Sequence, residues 1–439
     1  MPLETTKSSS ILASIHNQWL QYQPLIELCN NLNDDTISHN AVTGLAGSSG
    51  SFLIKAVLQN SDKPILIVTK DTSSANDLYD DLSVLLGSDK VGHFPARQIL
   101  PYDFKAPQGE IMGQRISTLA GLLDKSLSVV VCSVRSILEP TITKELLSSN
   151  RINLESGSET ELDNLVEQLL TMGFRRVPVV EEVGDFAVRG GLIDFFSPGS
   201  EAPVRVEFFG DEVDTIRLFN VSDQRTIKKI NKISLLPKRE IPITQESLEE
   251  YLNNLSERDA DYIRSRYLND PELPGLEWLS ILFGISQGRL IDYIDKKSII
   301  FFDSEDILYE EAGHIIDEGK TLYARLKDRL DKLPDPELYY QNPETLFQLL
   351  KNYHQVDNVP FRGGRSGVID FGCKPHPAFG SRLDLLTDTT KEYENIGMTY
   401  FIATDTEAQA DRLSELIGER VGEENKPKIE AANLKGGFV

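Results

Sequence analysis

The clearest indication of fold lies in residues 39–51, whose sequence is His39-Asn40-Ala41-Val42-Thr43-Gly44-Leu45-Ala46-Gly47-Ser48-Ser49-Gly50-Ser51. A phosphate-binding loop follows the pattern G-x-x-x-x-G-K-[ST], in which backbone N–H groups surround the phosphates and a lysine neutralises their charge. Gly44 and Ser51 match the ends of this pattern, but Ser49 replaces the second glycine and Gly50 replaces the lysine. Residues 44–51, the glycine–serine loop, are therefore predicted to be a degenerate phosphate-binding loop comprising Gly44, Gly47, Ser49, Gly50 and Ser51.

Apolar runs alternate with helical patterns after this loop. Residues 64–69 and 128–133 are continuous apolar runs, which are typical of strands in the centre of a parallel sheet. Apolar residues recur with helical spacing at 52–58, 73–86 and 110–123. This alternation predicts βαβ units and an α/β domain built on a parallel sheet.

A second segment resembles a motif of nucleotide hydrolases. In those enzymes an apolar strand ends in an aspartate that orients magnesium, and the following residue is often the glutamate that activates water. Residues 299–304 have the sequence Ile-Ile-Phe-Phe-Asp-Ser, so Asp303 is present and Ser304 replaces the glutamate. The two damaged motifs together predict a degenerate nucleotide hydrolase, although their spacing equally allows two ordinary strand–helix turns.

The composition excludes several functions. The 439-residue chain has 45 Lys and Arg against 68 Asp and Glu, which gives a net charge of -23. Because affinity for DNA depends on basic residues that displace counterions, we expect weak binding to naked DNA. The scattered cysteines Cys29, Cys132 and Cys373 suit a reducing compartment and have no metal-binding spacing. The sequence has neither a signal peptide nor an apolar run of roughly 20 residues, so we expect a cytoplasmic protein that does not contact a membrane. We also expect no metal site and no catalytic site in this chain.

The pattern changes near residue 140. The spacing of Ser158 and Glu161 predicts a capping box at the start of a helix, and short strands separated by turns are predicted to follow to about residue 219. These features predict an α+β domain inserted into the sheet domain, and the prolines of residues 334–336 indicate a further boundary. Four units are expected: the first part of the degenerate sheet domain, 1–137; the insert, 138–222; the rest of the sheet domain, 223–335; and a small α/β domain, 336–439.

The predicted insert contains a long motif in three parts. Its sequences are Gly-Phe-Arg-Arg-Val at 173–177, Gly-Asp-Phe-Ala-Val-Arg-Gly-Gly-Leu-Ile-Asp-Phe-Phe at 184–196, and Val-Arg-Val-Glu-Phe-Phe-Gly-Asp-Glu-Val at 204–213. This motif closely resembles a module shared by the excision-repair helicase subunit UvrB and the bacterial transcription-repair coupling factors. UvrB has an intact phosphate-loop lysine and a tyrosine-rich hairpin, and this chain has neither. The resemblance is therefore to the degenerate, UvrB-like N-terminal region of the coupling factors, over about residues 40–335.

The resemblance implies an N-terminal fragment that acts as an adaptor in transcription-coupled nucleotide excision repair. It would recruit UvrA by mimicking UvrB, without ATPase activity of its own. By motif position, the residues that contact UvrA are Arg176, Arg189, Arg205, Glu207 and Phe196. RNA polymerase, DNA, ATP and magnesium would be bound by domains outside this chain, which we expect to be monomeric. The alternative for Arg189 and Glu207 is that they pair with each other inside the insert.

A function of another class is also open at this point. The chain could be a fragment of an NTP-dependent DNA-remodelling enzyme with an unorthodox phosphate site, in which Lys55, one turn into the following helix, supplies the cation. A third possibility, compatible with the adaptor, is a regulatory module that clamps the motor of the whole protein.

Overall fold

The computed structural model describes residues 10–241, 245–267, 275–376, 379, 382–422 and 427–439. These residues form a large parallel sheet with helices on both faces, a second six-stranded sheet in an insert, and a small α/β unit. The predicted α/β class with a large parallel sheet is confirmed. None of the helices in the described residues has both the length and the apolar composition needed to span a membrane.

The large sheet has seven strands, which are β1 (His39–Thr43), β2 (Ile65–Thr69), β3 (Val91–Phe94), β4 (Val129–Ser133), β13 (Ile299–Phe302), β14 (His354–Asn358) and β15 (Ile369–Asp370). Their order is β15-β1-β14-β13-β2-β4-β3, and all neighbouring strands are parallel. Every residue of β2, β3, β4 and β13 is buried. Helices that cover both faces of the sheet explain why these strands are continuous apolar runs rather than alternating ones.

Two hydrophobic cores lie on opposite faces of this sheet. Leu66 and Val68 of β2 point into one core, and Ile65 and Ile67 point into the other. The core containing Ile65 is covered by α1 (Ser10–Trp19), α2 (Gln23–Leu32), α3 (Ser49–Asn60) and α4 (Thr72–Leu86). The core containing Leu66 is covered by α5 (Gly109–Leu123), α6 (Val134–Leu138), α7 (Lys144–Ser149), α9 (Gln245–Leu252), α10 (Glu257–Tyr267), α11 (Leu276–Leu282), α12 (Leu290–Tyr293), α13 (Glu305–Leu326), α14 (Pro336–Tyr339) and α15 (Pro343–Leu350).

The insert packs one helix, α8 (Leu162–Thr171), against a six-stranded sheet. Its strands are β6 (Arg175–Arg176), β7 (Asp185–Arg189), β8 (Leu192–Phe195), β9 (Val204–Phe209), β10 (Glu212–Phe219) and β11 (Thr226–Ile230), and the sheet order is β11-β10-β9-β8-β7-β6. A separate antiparallel pair joins β5 (Ile152–Glu155) to β12 (Lys232–Leu235).

These pairings correct the predicted limits of the insert, 138–222. Residues 138–151 belong to the large domain, because Leu138 and Leu147 are buried in its core. The insert extends beyond residue 222, because β11 and β12 pair with β10 and β5. The turn after Phe219 therefore leads to another strand of the insert and not back to the large domain.

The predicted boundary at residue 336 is also wrong. β14 pairs with both β1 and β13, and β15 pairs with β1, so the large sheet continues to residue 370. The small α/β unit begins after it and contains α16 (Leu383–Asn395), β16 (Phe401–Thr404), α17 (Glu407–Val421) and β17 (Lys428–Ala431). Its two strands are parallel.

Candidate functional site

The glycine–serine loop lies between β1 and α3, where a phosphate-binding loop would lie. Gly44 and Gly47 have positive φ angles of 71° and 51°, which side chains other than glycine rarely adopt. Ser49 begins α3, and its hydroxyl accepts a hydrogen bond from the Ala46 N–H at 2.8 Å. The loop therefore turns sharply into the helix, as its glycines predict, but a serine hydroxyl stabilises the turn from inside.

Another part of the chain fills the mouth of this loop. The Ser48 N–H donates to the carbonyl oxygen of Gly436 at 2.8 Å, and the Gly436 N–H donates to the Ser48 hydroxyl at 3.1 Å. In an intact phosphate loop, N–H groups at this helix N-terminus would point towards the anion. Here the Ser48 N–H points towards the carbonyl oxygen of Gly436 instead.

A cavity of about 320 Å³ adjoins the loop. Its lining includes three carboxylates, those of Asp77, Asp81 and Asp303, and one lysine, Lys435. The ammonium group of Lys435 lies 2.8 Å from the carboxylate of Asp80, so this lysine is already paired. Asp81 accepts a hydrogen bond from the Ser51 hydroxyl at 3.2 Å. The local charge therefore opposes a triphosphate.

The pKa values of two of these carboxyl groups, Asp81 and Asp303, are raised above their ordinary values. Burial raises the pKa of Asp81, against the lowering effect of hydrogen bonds from Ser48, the backbone of Lys435 and Ser51. Burial likewise raises the pKa of Asp303, against the attraction of Lys70. Neither carboxyl group has a cation close enough to lower its pKa below the ordinary value.

The remaining residues predicted for nucleotide chemistry are Ser304, which replaces the expected glutamate, and Lys55. Ser304 is buried, has a positive φ of 67°, and immediately precedes α13. Asp357 of β14 accepts a hydrogen bond from the Glu305 N–H at 2.8 Å and so caps α13. Lys55 is half-buried on α3, where burial lowers its pKa, and it does not line the cavity.

One group of possible metal ligands was not predicted from the sequence. Ligand atoms of His39, Glu305 and Asp357 lie within 4.8 Å of one another. Asp357 already accepts the hydrogen bond from Glu305, and the Arg365 guanidinium lies 3.7 Å from its other oxygen. The side chains of residues 39 and 305 are 4.0 Å apart. Hydrogen bonds and charge pairs within the protein therefore explain why these three side chains lie close together.

The second candidate site is the polar face of the insert. Val204 and Val206 are buried in the insert core, whereas Arg205, Glu207 and Phe209 point to the opposite face. The strand register places side chains of four neighbouring strands in one row across this face, namely Arg189, Leu192, Glu207 and Thr215.

The charged residues of this face have different partners. Arg205 makes two hydrogen bonds to the buried Asp194, at 2.7 and 2.8 Å, and its guanidinium lies 4.6 Å from the centre of the Phe219 ring. Arg205 is therefore part of the internal structure of the insert. Glu207 accepts from the Thr215 hydroxyl at 2.9 Å and forms an ion pair with Arg217.

Arg189 makes fewer polar contacts within the insert than Arg205 and Glu207 do. It is exposed and donates to the carbonyl oxygen of Pro178 at 2.8 Å. Arg189 and Glu207 thus have separate partners and do not form the internal bridge considered from the sequence. Both lie on the same face, on either side of Leu192.

Three further side chains, those of Arg176, Phe196 and Phe209, lie at or near the surface of the insert. Arg176 is exposed on the edge strand β6, but Arg175 is the residue that pairs with Asp185, so alternation directs Arg176 to the other face. Phe196 is half-buried and lines a cleft of about 740 Å³ between the insert and α5. Phe209 is 81% exposed at the end of β9, next to the polar row.

The family model of the UvrB interaction domain matches residues 152–241. This range begins with β5 and ends six residues after β12, so it coincides with the insert that the strand pairings define.

Relatives match most of the chain. The transcription-repair-coupling factor of Haemophilus influenzae is 30% identical over 330 residues, which cover 74% of this chain and 28% of the relative. Those of Escherichia coli and Bacillus subtilis are each 24% identical, over 407 and 428 residues, and cover 90% and 89% of the chain and 35% of each relative. The chain belongs to the transcription-repair-coupling factor family. It corresponds to the N-terminal region of these factors and spans about a third of the length of the curated relatives it matches.

Within this coupling-factor region, the structure brings together some of the predicted residues and separates others. Arg189, Arg205 and Glu207 share the polar face, and Phe196 packs beside Ala187 and Phe219 on the same side of the sheet. Arg176 is directed to the other face. Sequence reasoning did not select Asp81 or Gly436, which bind the glycine–serine loop residues from distant positions. The adjacent pair Gly436-Gly437 was a signal in the sequence, because glycine has no side chain and permits a close approach of the backbone.

Proposed function

We propose that the insert of this coupling-factor region is a docking module for UvrA, and that it recruits UvrA by presenting the surface that UvrB presents. The observation that carries this proposal is the match of residues 152–241 to the UvrB interaction domain. A domain shared with UvrB would be recognised by a partner of UvrB. Other parts of the whole protein, outside this chain, would bind RNA polymerase and move on DNA with ATP. They would thereby bring UvrA to a stalled transcription complex.

The chemistry of the polar face supports this role. Protein-binding surfaces combine apolar contacts with a few arginine or aromatic residues that contribute most of the binding energy. The polar face offers Arg189, Leu192 and Glu207 in one row, with Phe209 beside them. Arg189 is exposed and held by one hydrogen bond, so it can form a bidentate pair with a partner carboxylate at little cost to the insert.

The proposal is tested by calorimetric titration of UvrA into this chain and into two variants, Arg189→Ala and Glu207→Ala. Each substitution should weaken binding by about 1–3 kcal/mol if its side chain is buried in the complex. Glu167→Ala is the matched control for Glu207→Ala, because residue 167 is exposed on α8, which packs against the opposite face of the sheet. Unchanged affinity in both variants, with native circular dichroism spectra, would exclude this face.

The second part of the proposal is that this region does not hydrolyse nucleotides. Its support is the position of Gly50 where the lysine is required, together with the three carboxylates that line the adjacent cavity. We expect no ATP turnover above the buffer rate, with or without DNA. Turnover at the rate of an intact motor, lost on substitution of Lys55 by alanine, would instead support the DNA-remodelling enzyme.

A further inference from the structure

The segment Leu434–Val439, here named the strap, lies against the glycine–serine loop. Besides the reciprocal hydrogen bonds between Ser48 and Gly436, the Lys435 N–H donates to a carboxylate oxygen of Asp81 at 2.8 Å. The other oxygen of Asp81 accepts from Ser51, at the start of α3. Asp81 thus joins the strap and the loop through its two oxygens.

The two backbones approach too closely for any side chain between them. A Cβ atom on Gly436 would lie 2.7 Å from the Cα of Gly47, and a Cβ atom on Gly47 would lie 2.5 and 2.7 Å from the carbonyl oxygens of Gly437 and Gly436. Atoms of folded proteins do not tolerate such distances. Glycine is therefore required on both sides of the contact, in the loop and in the strap.

Contacts on either side of this glycine pair hold the rest of the strap. Lys435 pairs with Asp80 on α4 at 2.8 Å. The Phe438 ring packs against the rings of Phe52 and Trp19, with centroid distances of 5.7 and 6.5 Å. Val439 and Lys374 exchange two backbone hydrogen bonds at 2.9 Å. The lysine, the glycines and the phenylalanine of the strap therefore each contact a different set of residues in the rest of the chain.

We propose that the glycine–serine loop is a peptide-binding site, and that its ligand is the Lys-Gly-Gly-Phe sequence of the strap in place of a nucleotide phosphate. The loop binds the backbone N–H and C=O of Gly436 through Ser48 and accommodates the glycines through Gly47, while Asp80 of α4 pairs with the lysine. Since β17 lies three residues before the strap, this binding fixes the small α/β unit against the face of the large sheet that α1 and α3 cover.

The chemistry of the site explains why a peptide replaces an anion. A peptide group is neutral, so it can lie beside Asp81 and Asp77 without the repulsion that a triphosphate would meet there. The peptide backbone also supplies both a donor and an acceptor, the N–H and the C=O of Gly436, which bind the hydroxyl and the N–H of Ser48. A phosphate oxygen can only accept hydrogen bonds, so it could not donate to the Ser48 hydroxyl as the Gly436 N–H does.

Hydrogen exchange of the full chain, measured by mass spectrometry, tests this proposal with two glycine variants. Gly436→Ala places a methyl group against Gly47, and the backbone of residue 436 is outside the left-handed region, so the substitution adds no backbone strain of its own. Gly50→Ala is the matched control, because a Cβ atom on Gly50 has no neighbour within 4 Å. A milder variant, Ser48→Ala, removes only the hydroxyl and retains the loop backbone.

The wild-type strap amides should be protected, and Gly436→Ala should accelerate their exchange at least about tenfold while β2 and β4 stay protected. Ser48→Ala should accelerate it less, and Gly50→Ala should leave it unchanged. Saturating MgATP or inorganic phosphate should not alter strap exchange. Rapid exchange of the strap in the wild type, unchanged protection in both Gly436→Ala and Ser48→Ala, or release of the strap by MgATP would each overturn the proposal.

Discussion

Arg115 and Glu240 form an ion pair in the interior of the protein, with Nε of the arginine 2.7 Å from Oε1 of the glutamate and neither side chain more than 1% exposed. Arg97 binds the same glutamate, and Arg115 also contacts Glu139 at 3.1 Å. Arg115 belongs to α5 of the large domain, whereas Glu240 lies in the segment that follows the last strand of the insert. This buried cluster therefore anchors the chain where it returns from the insert.

Substitution of Glu240 by glutamine should destabilise the large domain strongly. Two guanidinium groups would remain in the interior without their shared counter-charge, and loss of one partner of a buried pair typically costs about 3–5 kcal/mol. Urea denaturation should show this loss in the free energy of unfolding. Glu337→Gln is the control, because Glu337 forms an ion pair with Lys320 at the surface and its loss should change stability little. Similar stabilities of the two variants would contradict a structural role of the cluster.

The same glutamate should give the protein an acid-sensitive component of stability. Burial acts to raise the pKa of Glu240, but Arg115 and Arg97 outweigh it, and the net effect lowers the pKa below its ordinary value of 4.5. Because the unfolded chain then takes up the proton more readily, this contribution is complete above pH 4.5 and is lost as the pH falls through the folded-state pKa. Unfolding free energies from pH 7 to pH 3 should fall less steeply in Glu240→Gln than in the wild type.

Arg205 and Arg189 lie on the same face of the insert, but their substitution by alanine should affect different properties. Arg205→Ala should lower the stability of the insert, and Arg189→Ala should weaken UvrA binding. Arg205→Ala leaves the buried carboxylate of Asp194 without its bidentate partner, so we expect the insert to lose about 3 kcal/mol of stability. Arg189→Ala removes one hydrogen bond at the surface and should leave the melting temperature nearly unchanged while it weakens UvrA binding. Calorimetric melting separates the two effects. Equal destabilisation by both substitutions would contradict this division.

The apolar strands of the large sheet could be predicted from the sequence, but the polar strand β14, which lies between β1 and β13, could not. β2, β4 and β13 are runs of apolar residues, and burial on both faces requires such runs. β14 has the sequence His-Gln-Val-Asp-Asn, which lacks this pattern, yet Gln355 and Asp357 are buried. Asp357 is tolerated because it caps α13. A tertiary hydrogen bond of this kind leaves no periodic trace in the sequence, and so the strand and the domain boundary were missed.

The candidate sites likewise combine a feature that the sequence could predict with contacts that it could not. The alternation along β9 fixed which side chains leave the insert core, since that property depends only on neighbours in the strand. The internal attachment of Arg205 to Asp194 depends on the register of β8 against β9, which the sequence did not provide. The contact between Ser48 and Gly436 joins residues separated by 388 positions, so no local pattern could predict it.

Asp303 provides a test that separates a structural from a catalytic aspartate. Burial raises its pKa above the ordinary 3.8, so the folded protein holds the proton more tightly and loses stability as the pH rises through the interval between the two values. Asp303→Asn should therefore increase the free energy of unfolding at pH 7, and the gain should vanish below pH 3.8. A magnesium-binding aspartate would give the opposite result in the presence of MgATP, because its loss would remove stabilisation by the ligand.

Restoration of the missing lysine should not restore nucleotide binding. The variant Gly50→Lys has space for its side chain, because no atom lies within 4 Å of a Cβ at this position, so it should fold normally. The new ammonium group would face Asp77, Asp81 and Asp303 and would be neutralised by them, while the strap still binds the Ser48 N–H. Titration with a fluorescent ATP analogue and magnesium should show no saturable binding. Micromolar affinity in this variant would mean that the lysine alone was missing, and that the carboxylates and the strap do not oppose a nucleotide.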